Sequence, residues 1–226
     1  MSLFNTKTFK YFDDANTHMK SKTWFEKNEA LYSKEVKEPF GELLSILDAR
    51  FSDELDHISI SPRNLSKPRR PKNKWADKGV NKDFAGFLLA QKKTSLFEWN
   101  PGIHFQLGSS KDDNHLGMGL YMVSGRQIKK LRNALLHDFT SLELIINKQS
   151  FVECWGDIVG DKYKRLPTNL PENHRAFEYF FFKQFYITRS FTRTEVKRAN
   201  FPTKVIECIE AGLPLLKWIQ KSVGTY

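Results

Sequence analysis

The 226-residue sequence contains only two cysteines and no long hydrophobic run. Two cysteines cannot build a disulfide framework, so the chain must fold around a hydrophobic core and suits a reducing compartment. The longest stretches without a charged residue, such as 114–125, are shorter than the about 20 apolar residues of a membrane-spanning helix. The first residues also lack the apolar segment of a secretory signal. We therefore expect a cytoplasmic protein with no membrane partner.

The sequence signatures of several enzyme classes are absent as well. Neither Gly-x-x-x-x-Gly-Lys-Ser/Thr nor Gly-x-Gly-x-x-Gly occurs, so no common nucleotide-binding loop is indicated. Neither Cys-x-x-Cys nor His-Glu-x-x-His occurs, which argues against a zinc ribbon or a zincin, and no Gly-x-Ser-x-Gly elbow exposes a serine nucleophile. Cys154 and Cys208 have apolar neighbours and are predicted to be buried structural thiols. The sequence leaves open whether the protein is an enzyme, and it predicts no cofactor.

Positive charge is what the sequence has in excess, and most of the excess lies in one segment. Lysine and arginine number 36 against 26 aspartates and glutamates, which gives a net charge of +10. Between Arg63 and Lys82, eight cations accompany a single acid, Asp77, so this segment carries +7. The eight cations are Arg63, Lys67, Arg69, Arg70, Lys72, Lys74, Lys78 and Lys82. Three prolines predict that residues 62–82, here named the basic loop, are irregular and exposed.

Two interpretations of the basic loop stay open. A clustered excess of cations attracts phosphate-bearing partners such as nucleic acid. The other interpretation is an ordinary solvated loop, because a run of charge alone is a weak motif. The candidate anion-binding residues are Lys67, Arg69, Arg70, Lys72 and Lys74 in the loop, with Arg165 and Arg189 further along the chain.

Hydrophobic periodicity predicts helices towards both ends of the chain and strands in the middle. Helices are predicted over most of residues 1–51, over 124–137, 139–149 and 173–182, and from Pro202 onward; strands at 57–61, 84–91, 102–107, 115–123 and 185–191; and loops with short strands over 151–170. This order indicates a single α+β domain over residues 1–226, with a largely antiparallel central sheet flanked by N-terminal and C-terminal helices. The residues predicted to be buried are Trp24, Phe40, Leu44, Leu131, Phe181, Ile206 and Leu216.

A second group of polar residues surrounds a glycine-containing segment. Asp157, Asp161 and Arg165 lie there, and His174 and Arg189 follow downstream. If these side chains converge, they could line a pocket for a small anionic substrate, with arginine making bidentate contacts. Ion pairing on the surface explains the same residues. The enzyme interpretation therefore depends on whether folding brings them together.

Two neighbouring predicted strands are joined by a turn of hairpin length, and each contains one histidine. A symmetric closure pairs Gly108 with His115 and places His104 opposite Gly119. The two imidazoles would then be four positions, or about 13 Å, apart along the strand. We therefore predict that they bind no common metal ion. The aspartates of the turn, Asp112 and Asp113, are expected to accept hydrogen bonds from its backbone.

Several segments together resemble one protein family. They are 24–32 (Trp-Phe-Glu-Lys-Asn-Glu-Ala-Leu-Tyr), 38–40 (Glu-Pro-Phe), 117–121 (Gly-Met-Gly-Leu-Tyr), 128–132 (Ile-Lys-Lys-Leu-Arg), 160–167 (Gly-Asp-Lys-Tyr-Lys-Arg-Leu-Pro), 173–175 (Asn-His-Arg) and 183–186 (Lys-Gln-Phe-Tyr) with Arg189. Their order and spacing resemble the bacterial and fungal family named domain of unknown function 2461. In the basic loop the family pattern resembles Arg-Asp-x-Arg-Phe-Ser-Lys-Asp-Lys-x-Pro-Tyr-Lys, of which this chain keeps Ser66, Lys67, a basic Arg69 and Pro71.

The resemblance implies a single family domain and no particular activity. Three functions therefore remain: a module that binds polyanions through the basic loop, an enzyme for a small anionic substrate, and a structural or protein-interaction domain. Of these, the polyanion-binding module is our first hypothesis, because the charge excess is clustered rather than scattered.

Overall fold

A computed structural model of the protein describes residues 2–91, 99–166 and 170–224. Its helices are α1 (Thr6–Thr17), α2 (Trp24–Tyr32), α3 (Glu38–Phe51), α4 (Trp75–Lys78), α5 (Gly125–Ile146), α6 (Gln149–Trp155), α7 (Arg193–Val196) and α8 (Phe201–Val223). Its strands are β1 (Phe84–Ala90), β2 (Gly102–Gly108), β3 (His115–Leu120) and β4 (Phe185–Ser190). Short 3₁₀ turns cover Pro62–Asn64, Lys72–Lys74, Lys111–Asp113 and Phe177–Phe181, and a π-helical turn, Ser33–Lys37, joins α2 to α3.

The four strands form one antiparallel sheet in the order β1-β2-β3-β4. Helices precede and follow this sheet along the chain, so the predicted α+β class is confirmed. Side chains alternate between the two faces of the strands. In β2, Phe105 and Leu107 are buried, whereas His104 and Gln106 on the opposite face are half-buried. The second face therefore keeps polar side chains within reach of solvent.

The chain forms two compact units, each built from several segments. The first compact unit contains the described residues of 1–89, 104–116 and 190–206. Its core is aromatic: Phe4 packs against Phe40 with ring centroids 5.2 Å apart, and Phe87 against Phe105 at 5.3 Å. All four rings are at most 2% exposed, and burying each side chain contributes about 1.5–3 kcal/mol.

The second compact unit contains the described residues of 90–103, 117–189 and 207–226. Its core holds α6 against α8: the indole Nε1 of Trp155 donates to the carbonyl oxygen of Cys208 at 2.8 Å. Gly212 allows a close approach, because a Cβ there would lie 2.9 Å from Met118 Sδ and 3.1 Å from Ile187 Cδ1. A larger residue at position 212 would therefore push α8 away from this core.

The start of α5 and its internal break follow the sequence. The Oγ of Ser124 accepts a hydrogen bond from the backbone of Gln127 at 3.2 Å, and the Oε1 of Gln127 accepts one from the backbone of Ser124 at 3.0 Å. This reciprocal capping fixes the first turn of the helix. The predicted boundary between two helices at 137–139 corresponds to Asp138, whose φ of −139° and ψ of 35° are non-helical.

Three predicted elements are wrong. Residues 57–61 form no strand: Ile58 and Ile60 are buried from the irregular backbone that follows the turn at 52–57. Residues 151–155 belong to α6 rather than to a loop, because the breaker that ends this helix is Gly156, with a φ of +68°. The predicted helix over 173–182 is only the 3₁₀ turn Phe177–Phe181.

Two of the residues predicted to be buried, Phe181 and Ile206, are only half-buried. A 3₁₀ turn repeats every three residues rather than every 3.6, so the residue that enters the core is Phe180. In α8 the buried stripe passes through Val205 and Ile209, and Ile206 lies at its flank. The other five predictions are confirmed: Trp24, Phe40, Leu44, Leu131 and Leu216 are buried.

Candidate functional site

The basic loop runs beside the edge strand β1 and is tied to the first compact unit. Leu65 forms an antiparallel bridge with Phe87, and Arg69 forms another with Asn81. The side-chain Nδ2 of Asn81 donates to the carbonyl oxygen of His18 at 2.9 Å. Between these anchors, regular structure is confined to one 3₁₀ turn and the single turn of α4. The loop is largely irregular, as predicted, yet held at defined points.

Two arginines of the loop turn towards the protein. Arg69 makes an ion pair with Glu26 at 3.2 Å. Arg70 donates to the carbonyl oxygen of Asn81 and lies 3.4 Å from the carboxylate of Asp83. Both side chains are half-buried. Their charge is thus largely used to hold the loop in place.

The remaining cations of the loop face solvent, apart from Lys82, which is half-buried beside Phe84. The exposed set, here named the lysine face, is Arg63, Lys67, Lys72, Lys74 and Lys78. No described carboxylate lies within 4.0 Å of any of these five groups. Lys74 and Lys78 are four residues apart, a spacing that places two side chains on the same side of a helical turn. The lysine face therefore consists of exposed cations that are not paired with a described acid, and Asp77 of α4 is the one acid within the loop.

The second predicted group is not joined into a cluster. Asp157, Asp161 and Arg165 are exposed. Among the described residues, no hydrogen bond or ion pair connects any of these three to one another or to His174. The contacts that a catalytic arrangement of acid and base would need are not formed by these side chains.

His174 and Arg189 instead contact structural elements of the second compact unit. His174 Nδ1 accepts a hydrogen bond from the backbone of Ala176 at 3.0 Å, and its ring lies 5.7 Å from that of Phe180. Arg189 donates to two carbonyl oxygens in the last turn of α6, each at 3.1 Å. Those carbonyls have no partner within the helix, so a guanidinium there stabilises its C-terminus.

The predicted register of the hairpin between β2 and β3 is wrong. The imidazole rings of His104 and His115 have centroids 5.2 Å apart, far less than the symmetric closure implies. The turn is closed by side chains as well as by backbone hydrogen bonds. The backbone of Gly108 donates to Asn114 Oδ1 at 3.1 Å, and Gln106 Nε2 donates to Asp113 Oδ1 at 3.0 Å. The turn therefore holds several side-chain hydrogen bonds, and the strands are not paired as the symmetric closure predicts.

The electrostatics of this histidine pair follow from burial. Burial, and next the charge of His115, lower the pKa of His104 to about 4, so His104 is neutral at pH 7. Burial likewise raises the pKa of Asp113. As predicted for the turn, Asp113 Oδ2 accepts a hydrogen bond from the backbone of Ser110 at 3.0 Å.

The first compact unit also has an open cavity of about 430 Å³, which no sequence motif indicates. Its lining includes Glu35, which is only 5% exposed and accepts a hydrogen bond from Asn5 Nδ2 at 3.1 Å, together with Glu38 and Lys34. Glu35 belongs to the π-helical turn that joins α2 to α3. Such turns are frequent at functional sites. They cannot be found by searching a sequence for the 3.6-residue period of an α-helix.

The described residues contain neither a three-ligand metal cluster nor a membrane-spanning helix. Within residues 2–91, 99–166 and 170–224, no group of three histidine, cysteine or acidic side chains is arranged to hold a metal ion. In the same part of the chain, no helix has the length and apolar character needed to cross a membrane.

Comparison with known proteins supports the resemblance seen in the sequence. The profile of the family described as "Conserved hypothetical protein (DUF2461)" matches residues 7–218, nearly the whole chain. The chain belongs to this family. No curated protein and no solved structure matches it.

In this DUF2461 protein, three of the family-like segments meet in the second compact unit. Tyr163 lies between two cations: the guanidinium carbon of Arg132 is 5.1 Å from the centre of its ring, and Lys183 Nζ is 5.2 Å from it. Arg132 Nε also donates to the carbonyl oxygen of Phe180 at 3.0 Å. Burial lowers the pKa of Arg132. Cation–π contacts of this kind are worth about 0.5–2 kcal/mol each, so the arrangement stabilises the segment around Tyr163.

Proposed function

We propose that the protein binds phosphate-bearing polyanions, such as single-stranded nucleic acid, through the lysine face of the basic loop. The observation that carries this proposal is the exposure of five cations that form no ion pair with a described carboxylate. A cation that is already paired with a protein acid gains little binding free energy from a phosphate. An unpaired cation that binds a phosphate releases a counterion that had condensed on the nucleic acid. Both cysteines are free and buried, which supports a reducing, cytoplasmic setting for this activity.

Anchoring of the loop supports the same proposal. Arg69, Arg70 and Asn81 hold the backbone in place, so binding costs less conformational entropy than it would for a free chain. Contacts of lysine with phosphate carry no information on base sequence. We therefore expect binding that is independent of sequence.

The proposal is tested by fluorescence polarisation with a labelled single strand of about 20 nucleotides at about 25 and 200 mM salt. Each phosphate contact contributes about −0.7 to the slope of log affinity against log salt, so five contacts give about −3.5 and a loss of about 10³-fold over this range. Absence of binding at the lower salt concentration contradicts the proposal.

A triple variant localises the binding surface. Replacement of Lys72, Lys74 and Lys78 by glutamine removes three contacts, and we expect the salt slope to become shallower by about 2. Because the variant loses only contacts with phosphate, its circular dichroism spectrum should be the same as that of the wild type. Binding by net charge alone is the competing explanation.

A matched control separates these explanations. The exposed residues Lys37, Lys129 and Lys148 lie outside the basic loop, and their replacement by glutamine removes the same charge. We expect this control to bind with nearly the wild-type slope. Equal loss in both triple variants would show that binding follows net charge and that the lysine face has no special role.

A further inference from the structure

We propose that His104 and His115 form a two-histidine site for a borderline divalent cation, with Zn²⁺, Ni²⁺ and Cu²⁺ as the fitting ions. The site is distinct from the lysine face and does not depend on it. It stands on three features of the histidine pair in the first compact unit: the separation of the rings, the tautomer that one ring must adopt, and the surrounding polar contacts.

The separation of the rings matches two imidazoles on one tetrahedral ion. A zinc ion about 2.0–2.1 Å from an imidazole nitrogen lies about 3.2 Å from the centre of that ring, so two such rings on a tetrahedral ion have centres about 5.2 Å apart. The centroids of His104 and His115 are 5.2 Å apart. One ion can be shared only where a nitrogen of each ring points into the space between the two rings.

Hydrogen bonding leaves the nitrogens available as ligands. Nδ1 of His115 lies 3.1 Å from the carbonyl oxygen of Asp112. A carbonyl only accepts, so this nitrogen carries the proton and the Nε2 of the neutral ring keeps its lone pair. Histidines that bind metals are commonly oriented by such a bond to a backbone carbonyl. No described residue makes a hydrogen bond to either ring nitrogen of His104.

The neighbouring acid is occupied by other contacts, which limits the protein ligands to two. Asp113 accepts from Gln106 at 3.0 Å and from the backbone of Ser110 at 3.0 Å. This agrees with the lack of any three-ligand group among the described residues. Both histidines are half-buried, so water or a ligand can take the other two positions of a tetrahedral ion. Nitrogen ligands favour Zn²⁺, Ni²⁺ and Cu²⁺ over Mg²⁺ and Ca²⁺.

The first experiment uses the full chain without an affinity tag, freed of metal with a chelator. Calorimetric titration with Zn²⁺ is expected to show one ion per chain, and Mg²⁺ is expected to show none. Electron paramagnetic resonance of the Cu²⁺-loaded protein is expected to show coupling to two equivalent imidazole nitrogens. Absence of Zn²⁺ binding up to about 1 mM, or Cu²⁺ coupled to a single nitrogen, contradicts the two-histidine ligand set.

Variants assign the ligands. His104→Ala and His115→Ala are each expected to weaken Zn²⁺ binding more than about 100-fold, since even loss of an outer-shell partner costs about 10–100-fold. His104→Gln preserves most of the volume and serves if the alanine variant does not fold. His137, exposed on α5, provides the control, and His137→Ala should bind as wild type. Equal affinity in all variants would show that the ion binds elsewhere.

Discussion

Tyr11 and Tyr32 lie side by side in the first compact unit, with ring centroids 5.6 Å apart and at most 7% exposure. Burial raises the pKa of Tyr32 to about 12, and burial together with the charge of Tyr32 raises the pKa of Tyr11 further. In the unfolded chain a tyrosine titrates near 10. Above pH 10 the folded state therefore binds more protons than the unfolded state, and stability falls as the pH rises from about 10 to 12.

At pH 12 we expect the titration of Tyr32 to cost about 2 kcal/mol and that of Tyr11 at least as much, since each unit of pKa shift corresponds to about 1.4 kcal/mol. Urea unfolding at pH values from 7 to about 11.5 measures it. Tyr32→Phe removes one of the two titrating hydroxyls and should make the alkaline decline shallower, while Tyr11 still titrates. Tyr121→Phe is the control, because Tyr121 is 62% exposed. An equal decline in the wild type and in Tyr32→Phe would contradict the assignment.

At the scale of elements, the anchor of the basic loop is open to a direct test. Asn81 is 1% exposed, and its Nδ2 donates to the carbonyl oxygens of His18 and Ser21 at 2.9 and 2.8 Å. Asn81→Ala leaves both carbonyls without this donor, so we expect a loss of about 2 kcal/mol in the free energy of unfolding and faster tryptic cleavage within the loop. Asn73→Ala, at an exposed position of the same loop, should change stability by less than about 0.5 kcal/mol. Equal stability of the two variants would contradict the anchoring role.

The elements that could be predicted from the sequence are those set by local residues. Ser124 and Gln127 cap α5, and the apolar stripe of α8 is visible in the spacing of its residues. What could not be predicted depends on side chains that meet only after folding. Asn114 accepts a hydrogen bond from the backbone of Gly108 within the turn, and His104 lies beside His115 rather than four positions away along the strand. The exposure of the basic loop could be predicted from its charge. Which of its cations turn inward could not be predicted, because the inward Arg69 is paired with Glu26, which is distant in sequence.

At the scale of the whole molecule, a single domain over residues 1–226 stays a prediction, and cooperativity of unfolding can test it. Small single domains unfold in one transition with coincident probes. Cys154 and Cys208 are free, buried and in the second compact unit, so their labelling by a thiol reagent in urea reports unfolding there. Hydrogen exchange of the backbone amides of α3 reports the first compact unit. If the chain is one domain, thiol labelling and α3 exchange have the same urea midpoint. Midpoints that differ by more than the experimental error would show that the two compact units unfold separately, and the prediction of a single domain would then be wrong.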